Sequence, residues 1–485
     1  MRIALISSEA VPFSKTGGLA DVAGTLFKEY TGMGLDASLF VPLYASTAKL
    51  FHDSLANLEL EIDIPIGKEV KKCRVFSEKG LRRGKKGKGS VYFVANEEYF
   101  GRAELYGPAE GDYPDNDARF IFFCRSVLEI SKRLDLQFDV LHCNDWQTGL
   151  IPLYIKTLYR NETAFKNART VLTIHNMGYQ GLFPPSALGI AGLGPEVFNP
   201  DGVEFHGKVN FLKAGLISAD ILTTVSPTYA KEILSPEKGF GLDGVLKKKA
   251  DALFGVLNGI DTSEWDPASD NFLHHKYSKT ALEGKRRCKQ ELMSRCSLAG
   301  TQETPLLCFV GRLSSQKGID LLVETVDELI GDGTDLFILG KGDARFQRLL
   351  SEQAGRYPGK LYFQVGFDEA MAHLAYAGAD IFLMPSLYEP CGLGQMIAMR
   401  YGTIPVAYST GGLVDTIAAA DGPDETGFLF DDHTPTSFVE EVRKALLIYR
   451  RKDRWHKFIT NAMGKDFSWK KSAGMYLELY GKPLN

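Results

Sequence analysis

The sequence predicts an α/β protein built from two doubly wound, Rossmann-like domains. Three observations predict it. Short apolar runs rich in β-formers alternate with helix-length segments, as parallel strands covered on both faces do. The series breaks off near the middle of the chain and then starts again. The 485 residues, 44% hydrophobic and 24% charged, suffice for a full core in each half.

In the first half the strand-like runs are RIALISS, ASLFVPLY, SVYFVAN, DVLHCND, RTVLTIH and ADILTTVS. In the second half they are PLLCFVG, DLFILG, KLYFQVG, ADIFLMPS and IPVAYS. Strand–helix alternation of this kind is the doubly wound architecture. Between about Asn258 and Thr304 the chain turns polar and helix-prone, and a new strand opens at Pro305. We therefore expect domains over 1–258 and 259–460, with a hinge near Gly259–Pro267. Residues 461–485 form a closing segment. In it Ser468 is an N-cap candidate, and Met475, Tyr476, Leu479 and Tyr480 fall at helical spacing.

Composition excludes some functions. A net charge of −4 argues against a nucleic-acid binder. No run of 18 apolar residues occurs, so no membrane span is expected, and the N-terminus reads as a first strand rather than a leader. The seven cysteines, Cys73, Cys124, Cys143, Cys288, Cys296, Cys308 and Cys391, form no CxxC pair. Buried reduced thiols and a cytoplasmic location follow as expectations, with no zinc site. The basic stretch Glu78–Ser90, with six Lys or Arg residues, reads as a solvated hairpin tip, with an anion-docking patch as the alternative.

Three loops can carry chemistry. Lys15-Thr16-Gly17-Gly18-Leu19-Ala20-Asp21 follows the first strand and opens a helix. Glycine permits close backbone approach, and free N–H groups at a helix start, with Lys15, suit a diphosphate. A tight turn with an exposed lysine is the plain alternative. Gly311-Arg312-Leu313-Ser314-Ser315-Gln316-Lys317-Gly318 follows the first strand of the second half. Two cations at strand carboxyl ends can neutralise a departing diphosphate, or form a solvated basic loop. Glu389-Pro390-Cys391-Gly392-Leu393-Gly394 follows IFLMPS and joins a carboxylate to a helix start. Thr410-Gly411-Gly412-Leu413 repeats the strand–Gly–Gly pattern. His175-Asn176 and Asp145-Trp146 each end a strand, where a lone histidine is often only a structural hydrogen-bonder. Asp115-Asn116-Asp117 has the look of a DxD metal motif, but it precedes a helical run, so N-capping is the better reading.

Together these motifs resemble the bacterial glycogen synthase and plant starch synthase family, whose members are retaining transferases that use ADP-glucose. KTGGLADV carries most of the likeness. TIHNMGYQG, FLKAGL, VSPTYAKEI, VLNGID, RLSSQKG, EPCGLGQ, STGGLVDT and DFSW follow in family order along essentially the whole chain. The resemblance implies the GT-B fold, two facing Rossmann-like domains with the active site in the cleft and a last helix crossing back to the first domain. It implies transfer of glucose from ADP-glucose to the non-reducing end of an α-1,4-glucan, glycogen or starch, with retention of configuration.

It also implies residue roles. Lys15 and Gly18 would contact the diphosphate, and Arg312 and Lys317 would stabilise the leaving ADP. Glu389 would bind the transferred glucose beside the Cys391, Gly392 and Leu393 backbone, and His175 would sit near the anomeric carbon. Asp21, Tyr99, Asn176 and Asn258 would line the donor site, Asp145 would meet the acceptor, and Phe367 would stack on the base. Gly17 and Gln316 complete the substrate-binding set. No metal and no cofactor are required. The expected partners are ADP-glucose and the glucan, without nucleic acid or membrane, and homo-oligomerisation stays open.

The chain departs from the family pattern at Asn144, where histidine is common, at Gly394, where threonine is common, and at Phe367, where tyrosine is common. Ile397 stands where related transferases carry a second acid, as expected of the ADP-glucose group. Competing readings are a UDP-glucose-dependent retaining glucosyltransferase, a phosphorylase, which would need a pyridoxal phosphate lysine, and a non-catalytic glucan-binding regulator.

Overall fold

The structure is a computed structural model. It describes residues 1–79, 89–108, 111–420, 422 and 424–483. Its contacts divide the chain into two compact units. The first comprises Met1–Val225, Ala230–Val256 and Trp469–Asn485; the second comprises Ser226–Tyr229 and Leu257–Ser468. The expected cuts stood at 258/259 and 460/461. Residues up to Met463 instead belong to the helix Lys452–Met463, and the last helix begins at Trp469.

The strands of unit 1 are β1 Arg2–Ile6, β2 Asp36–Pro42, β3 Leu55–Ile66, β4 Glu69–Glu78, β5 Ser90–Ala95, β6 Val140–Asn144, β7 Arg169–Ile174, β8 Leu182–Phe183, β9 Glu204–Phe205, β10 Lys208–Asn210, β11 Ile221–Thr224 and β12 Leu253–Gly255. Nine of them form one sheet in the order β12-β11-β7-β6-β1-β2-β5-β4-β3. The strands from β12 to β5 run parallel, and β4 is antiparallel to both its neighbours. The six runs read from the sequence are the parallel strands β1, β2, β5, β6, β7 and β11. The apolar core lies on these strands and on the helix Gly18–Gly32, which presents Val22, Ala23, Leu26 and Tyr30.

The β3–β4 hairpin is absent from the strands read in the sequence. Its first strand alternates buried Leu58, Leu60, Ile62, Ile64 and Ile66 with exposed Glu59, Glu61, Asp63 and Pro65. One face packs on the helix Asn116–Arg133, and Arg125 Nη1 donates to the Pro65 carbonyl at 2.7 Å. Strict alternation over this length is the mark of a half-buried antiparallel strand. The Glu78–Ser90 reading falls largely on residues 80–88, outside the described residues; the flanking β4 and β5 pair antiparallel.

The last helix, Trp469–Tyr480, lies in the core of unit 1. Trp469, Ala473, Tyr476, Leu479 and Tyr480 are buried there, with Met475 partly so. The Tyr480 hydroxyl accepts from Tyr30 at 3.0 Å and lies 2.6 Å from His142 Nδ1, and Arg169 Nη1 donates to the Tyr480 carbonyl at 2.6 Å. Burial holds His142 down to about 3, so the ring is neutral.

Unit 2 carries β13 Leu306–Leu313, β14 Asp335–Gly342, β15 Leu361–Val365, β16 Ile381–Met384, β17 Ile404–Tyr408 and β18 Phe428–Phe430. They form an all-parallel sheet in the order β15-β14-β13-β16-β17-β18. Between Leu257 and Thr304 the one α-helix is Glu283–Arg295, and no strand of either sheet occurs there among the described residues. The strand order reverses direction at β13 and β16, where doubly wound sheets open a crevice for ligands. All seven cysteines are free and buried. No helix among the described residues is long and apolar enough to cross a membrane.

Candidate active site

Unit 1 carries the first group of residues read from the sequence. Lys15, Thr16, Gly17 and Gly18 lie exposed between β1 and the helix Gly18–Gly32, and Gly17 is its N-cap in extended conformation. Lys15 Nζ donates to Asp21 Oδ1 at 2.7 Å, one turn into that helix. Burial outweighs Lys15 and holds the Asp21 carboxyl above its ordinary range.

The loop is braced by a residue the sequence reading passed over. Glu9 is 3% exposed. Its carboxylate accepts from the Thr16 amide, the Thr16 hydroxyl at 3.0 Å, the Gly17 amide at 3.4 Å and the Tyr106 hydroxyl at 3.1 Å. Two of the N–H groups expected to be free for an anion are thus held by protein, which leaves those from Gly18 onward. Burial raises the Glu9 carboxyl against these hydrogen bonds. A charged residue closing the apolar run RIALISSE was the available signal.

Tyr106 is in turn fixed by Arg119, a fully buried residue in the helix Asn116–Arg133. Its guanidinium donates to the carbonyls of Tyr99 at 2.7 Å and Leu105 at 2.9 Å and to Asn116 Oδ1 at 2.6 Å. Asn116 Nδ2 donates to the Tyr106 carbonyl at 2.9 Å. Tyr99 itself is buried against Phe100 and Phe122, with Lys71 Nζ 5.8 Å from its ring centre. Asp115 does occupy the N-cap position, but its side chain makes no cap hydrogen bond. It takes both Arg102 nitrogens instead, at 2.7 and 2.5 Å, because a bidentate ion pair outweighs a single amide.

At the ends of β6 and β7 three residues lock together. Asp145, at φ 54°, accepts the His175 amide on Oδ1 at 2.7 Å and also receives the Asn176 amide. Burial raises its carboxyl to about 7, against those two hydrogen bonds. Asn144 Nδ2 donates to the Ile6 carbonyl at 3.1 Å, so its Oδ1 faces His175 Nε2 at 2.9 Å. The ring is therefore placed as the Nε2–H tautomer, and burial holds it down to about 3, hence neutral. Asn144, seen in the sequence only as a departure, orients His175. Asn176 Oδ1 accepts the Gly178 amide at 2.9 Å.

Unit 2 carries the second group. Arg312 is exposed on β13, and Lys317 ends the 3-10 turn Ser315–Lys317. Gly318 follows at φ 67°, where a Cβ would stand 1.9 Å from the Pro385 carbonyl oxygen; only glycine fits this approach. The turn lies against the β16 loop, where Leu387 N–H donates to the Gln316 carbonyl at 2.9 Å. Lys317 Nζ reaches Glu389 Oε2 at 2.5 Å, with the side chains 19% and 7% exposed. Ser386 Oγ donates to the same oxygen at 3.1 Å. The family resemblance implies separate roles for Lys317 and Glu389, and the fold joins them as an ion pair. Gln316 Nε2 lies 3.5 Å from the Tyr388 carbonyl.

Beyond Glu389 the chain turns sharply. Gly392 sits at φ 77°, and Leu393 is the N-cap of the helix Gly394–Arg400. Gln395 Nε2 donates to the Cys391 and Gly392 carbonyls at 3.0 and 2.9 Å. Gly412 N–H donates to the Glu389 carbonyl at 3.1 Å, so the Thr410–Gly412 loop supports the Glu389 loop. A Cβ at Gly394 would stand 3.0 Å from the Phe382 ring, so Phe382 crowds the place of the threonine common at this position. Asn258 is buried, its amide reaches the Cys391 thiol, and its Oδ1 has no protein partner. Phe367, 83% exposed after β15, presents an aromatic face to solvent.

Comparison with known proteins covers nearly the whole chain. Residues 2–248 match the family model of the starch synthase catalytic domain, and residues 295–462 match that of glycosyl transferases group 1. The chain is 47% identical to a glycogen synthase of Thermodesulfovibrio yellowstonii, over 99% of this chain and 97% of that protein. It is 43% identical to a glycogen synthase of Thermotoga maritima, over 100% and 99%. The catalytic domain of starch synthase IV from Arabidopsis thaliana, solved bound to ADP and acarbose, superposes with a TM-score of 0.89 at 31% identity, covering 99% of this chain and 98% of that one.

Proposed function

The chain belongs to the glycogen and starch synthase family, a family of glucosyltransferases with the GT-B fold, and on that footing we propose that its donor is ADP-glucose. The reaction would be ADP-glucose:α-1,4-glucan 4-α-glucosyl transfer with retention. The observation that carries this reading is the match, over 99% of the chain, to the catalytic domain of a starch synthase bound to ADP and acarbose. The KTGGLADV and EPCGL segments support it.

In this reading Arg312 and Lys317 hold charge on the departing diphosphate, helped by Lys15 and the amides from Gly18 onward. Glu389 and the Cys391–Leu393 backbone hold the transferred glucose. Asn258, Asp21, Tyr99 and Asn176 line the donor, Phe367 stacks on the base, and His175 stands near the anomeric carbon as a neutral imidazole. Asp145, whose carboxylate holds the His175 and Asn176 amides, shapes the acceptor end. As the bond from the anomeric carbon to the diphosphate breaks, a leaving phosphate oxygen takes the proton of the incoming 4-hydroxyl. The new bond forms on the same face. Glu389 serves as an electrostatic partner rather than a nucleophile, since a retaining two-step route uses a carboxylate pair and one carboxylate is paired with Lys317 here. Positioning and preorganised charge supply the catalysis, and each donor to the leaving group contributes about 3 kcal/mol. No metal takes part in the transfer.

The test is incorporation of labelled glucose into glycogen from ADP-glucose and from UDP-glucose at equal concentration, with and without chelator. ADP-glucose is expected to be faster and the chelator to leave the rate unchanged. A faster rate with UDP-glucose overturns the donor, and no incorporation from either favours a glucan-binding regulator.

A further inference from the structure

Unit 2 contains a side-chain cluster that the transfer reaction does not use. The helix Glu369–Gly378 carries Glu369 and His373 four residues apart, on one face. Glu264 comes to the same place from the segment after Leu257. One carboxylate oxygen from each glutamate and one ring nitrogen of His373 lie within 4.8 Å of one another. Both glutamates are exposed, whereas His373 is 1% exposed.

The two nitrogens of that ring differ. Nδ1 lies 2.7 Å from Asp270 Oδ2 and donates to it. Asp270 also accepts from the Tyr401 hydroxyl at 2.6 Å and the Phe272 amide at 2.8 Å. Although burial opposes them, these hydrogen bonds keep the Asp270 carboxyl below its ordinary range, so it is a firm anion for Nδ1–H. The ring plane is fixed by Trp265, stacked at 4.0 Å and 10°, and by Phe272 at 4.6 Å. Nε2 is buried and has no hydrogen-bond partner. A buried polar atom without a partner costs about 1–3 kcal/mol. With its proton on Nδ1 the ring can offer the Nε2 lone pair to a cation, and a carboxylate oxygen of Glu264 and of Glu369 lies close to the ring. A carboxylate–histidine pair behind an open nitrogen is the arrangement that orients histidine for metal binding.

We propose that His373 Nε2, Glu369 and Glu264 form a binding site for a divalent transition metal ion of the zinc class. One imidazole and two carboxylates suit such an ion, with a further position left to water. Bonds of about 2.0–2.2 Å require the ligand atoms to close to about 3.3 Å, which the two exposed carboxylates reach by rotation. The ion would tie the segment bearing Glu264 to the helix that starts two residues beyond Phe367. It touches no group assigned to the transfer and does not rest on the donor reading.

The test is a titration of the metal-stripped full-length protein with Zn(II) by calorimetry, and with Co(II) by visible absorption, for wild type, Glu264→Gln and Glu369→Gln. We expect one saturable equivalent in wild type and at least about a tenfold loss of affinity in each variant. Co(II) bands of a low-coordinate N/O site should appear in wild type only. The melting temperature of each variant without metal reports its folding, and both substitutions sit at exposed positions. Absence of a saturable equivalent in wild type overturns the proposal, and so does unchanged affinity in either variant.

Discussion

The two lysines of the candidate site are held in different ways. Lys15, in unit 1, has a side chain 52% exposed and leans on Asp21, itself 25% exposed. Lys317, in unit 2, is 19% exposed and meets a Glu389 carboxylate that is 7% exposed. An ion pair near solvent is screened and worth little, while a buried one is costly to break from one side. The loop of unit 1 is rigid for another reason, the Glu9 carboxylate beneath it. One half thus presents an exposed charge on a braced backbone, and the other a buried charge in a pair that a ligand must share.

The largest effect should come from the buried charge. Lys317→Ala is expected to lower kcat by about a hundredfold or more, with a smaller change in KM for the donor. It also leaves Glu389 unpaired, at a cost to stability of about 3–5 kcal/mol, so the melting temperature should fall. Lys15→Ala should leave the melting temperature near wild type. Equal losses of stability in the two variants would break the comparison.

The brace should come next. Glu9→Ala removes a charged acceptor of several hydrogen bonds, each worth about 1.5–3 kcal/mol. A fall in kcat/KM of about tenfold or more is expected, with Glu9→Gln retaining part of the activity because its carbonyl oxygen still accepts. Steady-state kinetics that show Glu9→Ala equal to wild type would mean that the loop holds its shape unaided.

Acidity separates the groups of unit 1 by sign. His142 and His175 are held near 3 against an ordinary 6.5. The stability they carry is full above 6.5 and is lost as pH falls toward 3. Asp145 is raised from 3.8 to about 7, so its contribution is full below 3.8 and is lost as pH rises toward 7. Denaturant melts from pH 4 to 8 should show a shallower acid limb for His142→Gln and a flatter neutral limb for Asp145→Asn. Identical slopes in wild type and variants would rule out these groups as the source.

The smallest effect belongs to Phe367. Phe367→Ala should raise KM for the donor severalfold, the order of one stacking contact of about 1 kcal/mol, with little change in kcat. Phe367→Tyr should match wild type. A change confined to kcat would remove it from base recognition.

Legible in the amino-acid pattern were eleven of the thirteen parallel strands among the described residues, all but the three-residue β12 and β18, together with the restart near Pro305 and the loops that bear Lys15, Arg312, Lys317 and Glu389. Apolar runs, glycines and caps act over a few residues and are written locally. The β3–β4 hairpin was also written locally, as strict alternation of Leu and Ile with Glu and Asp, and was missed because continuous apolar runs drew the reading toward buried parallel strands. What each polar group faces was settled by the packing of distant segments. Asp115 is at a helix start, yet Arg102, thirteen residues away, takes its side chain. Glu9 binds Thr16 and Tyr106, Lys317 binds Glu389, and Asn144 sets the tautomer of His175. Each of these depends on a partner brought close by the packing of strands and helices, and the energy of a buried charge is fixed by that partner and by the water it has lost.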